Sequence, residues 1–250
     1  MHGLLVLALL LLTTPAVAQE KLSGSNTDLR TVLTFKAPDE AVQKMLAEGW
    51  EVNSPTSGPA KGANLVLVLV DQQTSYDADG KPVATFRAAV LGTLCKKKGA
   101  DTAGFMVFGG LADEAGAPGA YGVYDTAQTT VERKTYPGAE KKLTTEESWQ
   151  FKAANGNSIE VQLQFVRGAA AKGKAEAKVF SAAKPEFFRI YRVEEARDVV
   201  RSTAVGVDRL AKISVKASGG KLKALFDGTE QLISVTSIPW YSRQVYLPSS

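Results

Sequence analysis

Histidine and cysteine are almost absent from this chain of 250 residues, which contains only His2 and Cys95. After His2 the chain offers no imidazole, which excludes Ser-His-Asp and Cys-His nucleophile systems and histidine ligation of zinc or haem. One cysteine cannot form an intramolecular disulfide. The fold must therefore be held by packing and sheet hydrogen bonds, and we interpret Cys95 as a small buried apolar residue rather than a reactive thiol.

Long apolar runs are also scarce. The run from Leu4 to Leu12 is shorter than the roughly 20 residues that span a bilayer, and the small residues Ala16-Val17-Ala18 follow it. This order is typical of a secretory signal peptide, although only His2 and the α-amino group supply positive charge before the apolar run. We predict cleavage after residue 18 and an exported protein, periplasmic or secreted, without stable membrane insertion. The alternatives are a retained anchor and a wrongly assigned start of the chain.

Patterns for metals and nucleic acids are missing as well. No carboxylate spacing resembles a calcium loop, so we expect no metal, and we expect no cofactor. The formal charge of +4 is spread along the chain apart from basic clusters at 96–98 and 167–184. A nucleic-acid binder usually carries a denser basic stripe with interleaved aromatics, so we expect no nucleic-acid partner. Homo-oligomer formation is left open.

Segments with strand patterns dominate the rest of the chain. Apolar or β-branched runs predict strands at 65–70, 83–94, 104–111, 187–193 and 204–215. The alternating segment from Ile159 to Phe165 is expected to pair with Trp149 and Phe151 across Asn155-Gly156-Asn157, as a hairpin with a primed turn. Pro38 and the acidic residues after it predict one N-terminal helix that ends near Gly49.

The remaining segments complete the predicted domain organisation. Residues 19–30 are polar and predict a flexible lead-in, 168–184 a loop or short exposed helix, and 195–203 a short helix. Pro239 predicts a bend or edge position within 232–247. We therefore predict a single domain over 31–250. Its class is mainly β, with a closed or barrel-like antiparallel or mixed sheet, one N-terminal helix and few other short helices.

The order of these segments resembles the acetoacetate decarboxylase-like superfamily over most of residues 35–247. The resemblance begins with the helix ending at Met45-Leu46-Ala47-Glu48-Gly49 and continues with the apolar strand at 65–70 and the strand at 84–91. The Gly-aromatic strand at 104–108, the Gly-Ala-Tyr-Gly turn at 119–127 and the hairpin follow in the same order. It implies a similar fold. It also implies a family chemistry in which a lysine amine of lowered pKa forms a Schiff base with a β-keto acid.

The lysine of that family follows a Gly-aromatic-Pro step, and the corresponding stretch Gly122-Val123-Tyr124-Asp125-Thr126-Ala127 contains none. The glutamate of the family would fall near Phe86-Arg87, where an arginine stands. Both differences are charge reversals, and a carboxylate cannot form an imine. The fold can therefore carry over without the activity. We consider a buried ion pair between Arg87 and Asp125, against the alternative that each is separately solvated.

Trp240, Tyr241 and Arg243 form the most distinctive aromatic and cationic group of the chain. Such a group suits a small anionic or carbonyl ligand, and it equally suits a packed sheet edge. The candidate ligand-binding residues are thus Arg87, Tyr124, Asp125, Trp240, Tyr241 and Arg243.

The resemblance and these residues favour an exported protein that binds a small organic acid or ketone without decarboxylase activity. Two alternatives stay open. One is an active lysine-dependent decarboxylase or related lyase, and the other is an envelope interaction protein whose barrel is filled by its own side chains.

Overall fold

The computed structural model describes residues 20–138 and 142–248, in which the chain forms two short helices and thirteen strands. The predicted leader, 1–18, lies outside these residues. The helices are α1 (Asp39–Gln43) and α2 (Leu222–Leu225). The strands are β1 (Lys21–Lys36), β2 (Trp50–Val52), β3 (Leu65–Asp77), β4 (Arg87–Lys97), β5 (Ala103–Ala112), β6 (Asp125–Pro137), β7 (Leu143–Ala153), β8 (Ser158–Val166), β9 (Ala171–Ser181), β10 (Phe188–Ser202), β11 (Val207–Asp208), β12 (Leu210–Ser218) and β13 (Gln231–Leu247).

The strands join into one mixed sheet that closes on itself. Its order is β12-β8-β7-β6-β5-β9-β10-β13-β1-β3-β4-β2, with β11 beside β10. Because β4 also pairs with β5, seven strands form a ring in the order β4, β5, β9, β10, β13, β1, β3. The parallel contact between β5 and β9 is short, joining 105–107 to 179–181. The prediction of a mainly β fold with a closed mixed sheet is confirmed.

A second layer covers one side of this ring. Strands β6, β7, β8 and β12 leave it at β5, where Leu111 and Ala112 pair in parallel with the start of β6. The main core lies between the ring and this layer, and its largest fully buried side chains include Leu33, Leu67, Leu69, Trp149 and Phe151. Burying a side chain of this size contributes roughly 1.5–3 kcal/mol, so this interface is a main source of stability.

Alternation along β1 shows how one strand serves both sides of the ring. Leu33 and Phe35 lie in the main core, and the hydroxyl of Thr31 donates to Oε2 of Glu147 at 2.6 Å. Arg30 faces the interior of the ring. Successive side chains of a strand point to opposite faces, so odd positions build the core and even positions line the interior.

Strands and turns with a strong local pattern agree with their predictions. Residues 65–70, 83–94 and 104–111 fall largely in β3, β4 and β5, and the hairpin is formed by β7 and β8. In its turn Gly156 has a φ of +86° and donates to the carbonyl of Ala153. The N-terminal helix forms but ends at Gln43 rather than near Gly49.

Other segment predictions are wrong. Residues 21–30 belong to β1 rather than to a flexible lead-in, because their backbone pairs with β13 on one side and β3 on the other. Residues 171–181 form β9, whose Ala and Lys residues are held extended by pairing with β10. Residues 195–202 continue β10, which pairs on both sides. For Pro239 the edge alternative is wrong, because β13 pairs on both sides. The residue lies where the pairing with β1 and β10 changes register, an irregularity of the kind that bends a strand.

Within residues 20–138 and 142–248, neither helix is long and apolar enough to cross a membrane. The same residues contain no group of three or more histidine, cysteine or acidic side chains placed to hold a metal ion.

Candidate functional site

A cavity of about 530 Å³ lies inside the ring of seven strands and opens to solvent. Four arginines line it: Arg30 on β1, Arg189 and Arg197 on β10, and Arg243 on β13. These three strands are neighbours in the ring, and we call them the arginine arc. The four guanidinium groups therefore face the cavity from one side.

Two of these arginines are neutralised by buried carboxylates. Nε of Arg30 donates to Oδ2 of Asp28 at 2.8 Å, and Asp28 is 2% exposed. Nε of Arg197 donates to Oε1 of Glu195 at 2.6 Å, and Glu195 is also buried. Each pair satisfies the charge of its own arginine.

The other two arginines form no ion pair within the described residues. Nε of Arg243 donates to the amide oxygen of Asn26 at 2.9 Å, and its guanidinium carbon lies 4.2 Å from the centre of the Tyr191 ring. Nε of Arg189 is buried and has no hydrogen-bond partner in the described structure. A buried donor without a partner is costly, so the arginine arc has unused capacity for an anion.

The pKa of Arg243 is consistent with a permanent charge at this position. Burial lowers the pKa of its guanidinium, but Tyr191, Tyr241 and Asp28 raise it by more, and the net pKa lies above the ordinary value. Arg243 therefore stays protonated over the physiological range, and the cavity stays positive.

Four tyrosines add hydroxyl groups to the cavity wall: Tyr121, Tyr124, Tyr191 and Tyr241. The hydroxyls of Tyr121 and Tyr191 are hydrogen-bonded to each other. Burial raises the pKa of the Tyr121 and Tyr124 phenols well above the ordinary value. Both phenols are therefore neutral near pH 7 and can donate hydrogen bonds.

The loop between β5 and β6, residues 113–124, carries Tyr121 and Tyr124 to the cavity. Its first residue, Asp113, accepts hydrogen bonds from the backbone N–H groups of Arg87 at 2.9 Å and Gly116 at 3.1 Å. A Cβ on Gly119, where φ is +69°, would lie 2.7 Å from the Tyr124 ring. Glycine is thus required there so that the loop can pack against Tyr124.

The remaining strands of the ring present an apolar wall. Strands β3, β4, β5 and β9 are adjacent in the ring, and we call them the apolar arc. Their side chains at the cavity are Val68, Val70, Val90, Phe105, Val107, Ala177 and Val179. The cavity is therefore divided between a cationic side and a hydrocarbon side.

The structure brings together three of the six candidate residues. Tyr124, Tyr241 and Arg243 line the cavity. Trp240 points to the outer surface and is 41% exposed, because it precedes the inward-facing Tyr241 on the same strand.

The ion pair considered between Arg87 and Asp125 does not form. Nε of Arg87 lies 3.1 Å from Oδ1 of Asp71, on the surface. Asp125 accepts hydrogen bonds from the side chains of Asn155 and Asn157 at the β7–β8 turn. Each residue has a nearer partner that the sequence order did not indicate.

Sequence reasoning missed several cavity residues. Arg30 fell in the supposed lead-in, Arg197 in the predicted short helix at 195–203, and Arg189 in a predicted strand where nothing singled it out. Arg189 and Tyr191 alternate with the buried Ile190, and this period of two was the available signal for a strand with a distinct polar face.

The closed ring with a second layer of strands over one side is an acetoacetate decarboxylase-like fold. Among solved structures that share it is the enduracididine biosynthesis enzyme MppR with HEPES buffer bound, at a TM-score of 0.56 and 11% identity, over 94% of this chain and 88% of that one. MppR complexed with pyruvate matches at a TM-score of 0.56 and 11% identity, over 93% and 91%. An acetoacetate decarboxylase-like enzyme from Sphingomonas wittichii RW1 matches at 0.54 and 12% identity, over 96% and 98%.

No family model matches the chain, and no curated protein matches its sequence. Identities of 11–12% establish likeness of fold alone. The resemblance inferred from the order of segments is confirmed at that level.

Proposed function

We propose that this protein binds a small organic carboxylate in the ring cavity, non-covalently, through Arg189 and Arg243. The observation that carries the proposal is the pairing of the four arginines. Two have buried carboxylate partners, while Arg189 and Arg243 face the same cavity without one.

Electrostatics favour a carboxylate as the ligand. A guanidinium removed from water loses its hydrogen bonds to water, and a carboxylate replaces them with charge-assisted hydrogen bonds that can be bidentate. The neutral Tyr124 phenol lines the same cavity and can donate a further hydrogen bond. The neighbour of similar fold complexed with pyruvate offers a precedent for a carboxylate ligand.

The composition of the cavity wall argues against Schiff-base chemistry. An imine requires a lysine amine at the substrate carbonyl, and no lysine is among the described residues that line the cavity. An active lysine-dependent lyase would need a lysine from elsewhere to enter the cavity. An interaction protein with a filled interior is disfavoured by the volume of about 530 Å³.

Calorimetric titration with pyruvate tests the proposal. Arg243→Gln and Arg189→Gln should each weaken binding by about 10- to 100-fold, because a hydrogen bond to a charged group contributes about 1.5–3 kcal/mol. The matched control is Arg192→Gln, which removes an arginine from the outer face of the same strand β10. Equal losses in all three variants, or no binding of any carboxylate to the native protein, would contradict the proposal.

Borohydride reduction in the presence of acetoacetate tests the non-covalent mode separately. We expect no mass adduct on any lysine of the folded protein. A stoichiometric adduct would establish an imine and favour the lyase alternative.

Export is part of the proposal and has its own test. The A-x-A site before Gln19 predicts that the mature chain starts at that residue. Amino-terminal sequencing of the protein from a periplasmic or culture-medium fraction should give Gln19 first, and an intact His2 there would contradict cleavage.

A further inference from the structure

We infer that the ligand is an amphipathic monocarboxylate, an acid with one anionic end and a hydrocarbon or aromatic body, rather than a three-carbon acid such as pyruvate. The inference rests on the proposed function. It adds the class of ligand from the division of the cavity into an arginine arc and an apolar arc.

The division follows the order of the strands. Every charged side chain among the described residues lining the cavity belongs to β1, β10 or β13, and the residues of β3, β4, β5 and β9 that line it are valine, alanine or phenylalanine. A ligand that contacts both arcs must therefore present an anion on one side and apolar surface on the other.

The apolar arc is only partly covered by the protein itself. Val68, Val90 and Phe105 remain partly exposed although they face the interior of the ring. Apolar surface left in contact with water is unfavourable in proportion to its area. A hydrocarbon body would cover these side chains, whereas a three-carbon acid held at the arginines would leave them wet.

The size of the cavity agrees with a ligand of this class. A volume of about 530 Å³ lies within the roughly 300–1,000 Å³ typical of sites for drug-sized ligands. Each methylene moved from water to the apolar arc should tighten binding about fourfold, the change in affinity that corresponds to about 0.8 kcal/mol.

The arrangement also predicts rejection of dicarboxylates. In an extended diacid the second carboxylate would lie against Val90 or Phe105, which offer it no hydrogen bond. Burying an unpaired carboxylate is strongly unfavourable, so a second charge should cancel the gain from chain length.

Calorimetric titration with a homologous series provides the test, with butanoate, hexanoate, octanoate and 4-phenylbutanoate as probes, beside pyruvate, octanedioate and octanamide. We expect affinity to rise about fourfold per methylene from butanoate to octanoate, and octanedioate and octanamide to bind at least tenfold more weakly than octanoate. Binding of pyruvate with equal or weaker binding of octanoate would overturn the inference and leave the proposed function standing. If none of the carboxylates binds, the proposed function fails with it.

Variants of the apolar arc locate the hydrocarbon body. Ala177→Leu should weaken octanoate at least tenfold and change butanoate less than twofold, because Ala177 lines the cavity. Ala175→Leu, on the exposed part of the same strand, is the control and should change neither. Val90→Thr keeps the side-chain shape, replaces one methyl by a hydroxyl, and should weaken only the longer acids. Uniform effects on short and long acids in both cavity variants would overturn the inference.

Discussion

Neighbouring residues of one ring strand have opposite surroundings in this protein. On β3, Leu67 points to the second layer and is fully buried in the main core, whereas Val68 points inward and lines the cavity. Where the second layer covers it, the outward face of the ring is closely packed with leucine and aromatic side chains. The inward face leaves about 530 Å³ of space beside arginines and tyrosines.

Along a ring strand, residues that stabilise the fold alternate with residues that face the cavity, so the two roles repeat every two residues. A packed interface gains hydrophobic free energy from every side chain that it buries, while a cavity keeps apolar and charged groups available for a ligand. Substitutions on the outward face should therefore act mainly on the free energy of unfolding, and substitutions on the inward face mainly on ligand binding.

The largest expected effect is that of Trp149→Ala. Trp149 is fully buried between the layers, and its Nε1 donates to Oε2 of Glu147 at 2.9 Å. The variant should lose about 3–5 kcal/mol of unfolding free energy, measured by urea denaturation. Trp240→Ala, at a partly exposed tryptophan on the outer surface, should lose less than about 1 kcal/mol. Comparable losses for both tryptophans would contradict the assignment of the core.

Leu67→Ala and Val68→Ala compare the two faces at adjacent positions. The first should destabilise the protein by about 2–5 kcal/mol, because it opens a new void in the packed interface. The second should cost about 1 kcal/mol or less, since it only enlarges an existing cavity, and it should weaken the binding of longer acids. If Val68 rather than Leu67 pointed to the second layer, urea denaturation would show the larger loss of unfolding free energy for Val68→Ala.

Glu147→Gln tests the polar contact that joins the two layers. Its carboxylate accepts hydrogen bonds from Thr31 on β1, from Arg133 on β6 and from Trp149. An amide keeps the shape and loses the charge opposite Arg133, so we expect a loss of about 2 kcal/mol. Glu160→Gln, in an ion pair with Lys152 at the surface, should cost less than about 1 kcal/mol. An unchanged midpoint for Glu147→Gln would show that the contact contributes nothing to holding the layers together.

The smallest effect at neutral pH concerns Cys95, on the outward face beside Trp50 and Met106. Burial raises the pKa of its thiol from 9.0 to about 12. The folded protein therefore retains this proton longer than the unfolded chain. The contribution of the buried, protonated thiol to the free energy of unfolding is fully present below pH 9 and is lost as the pH rises from 9 towards 12.

Comparison of wild type with Cys95→Ala measures this contribution. The difference in unfolding free energy should be constant below pH 9 and should shrink above it. Native Cys95 should also resist thiol reagents at pH 8 and react after denaturation. Rapid labelling of the native protein would place the thiol at the surface instead.

Local sequence patterns predicted the elements that build the packed side of the molecule. The apolar run at 65–70 and the alternation from Ile159 to Phe165 identified β3 and the β7–β8 hairpin. By contrast, β1 and β9 were missed, because their polar, alanine and lysine residues have weak strand preference. Pairing with neighbours on the sheet holds these segments extended.

The candidate site was predicted in part. Tyr241 and Arg243 were selected as part of an unusual aromatic and cationic group, and Tyr124 through the family resemblance. All three line the cavity. Of the two alternatives for Arg87 and Asp125, the structure gives the one in which they lie apart. The sequence left both open because a position in the chain order does not specify which face of a strand a side chain occupies. Arg30 was missed for a different reason, since an arginine on a strand inside a ring and one on a flexible segment look alike in sequence.

The sequence alone determined which chemistries are excluded, through the scarcity of histidine and cysteine, and which segments alternate as strands. The tertiary structure alone decided which of the two faces of each strand encloses the cavity. Nε of Arg243 and the amide of Asn26 are hydrogen-bonded across 217 positions of the chain. Asn26 lies opposite Arg243 where β1 pairs with β13, two strands that are far apart in the sequence. Alternation defines two faces of a strand, and the closure of the ring decides which one is inside.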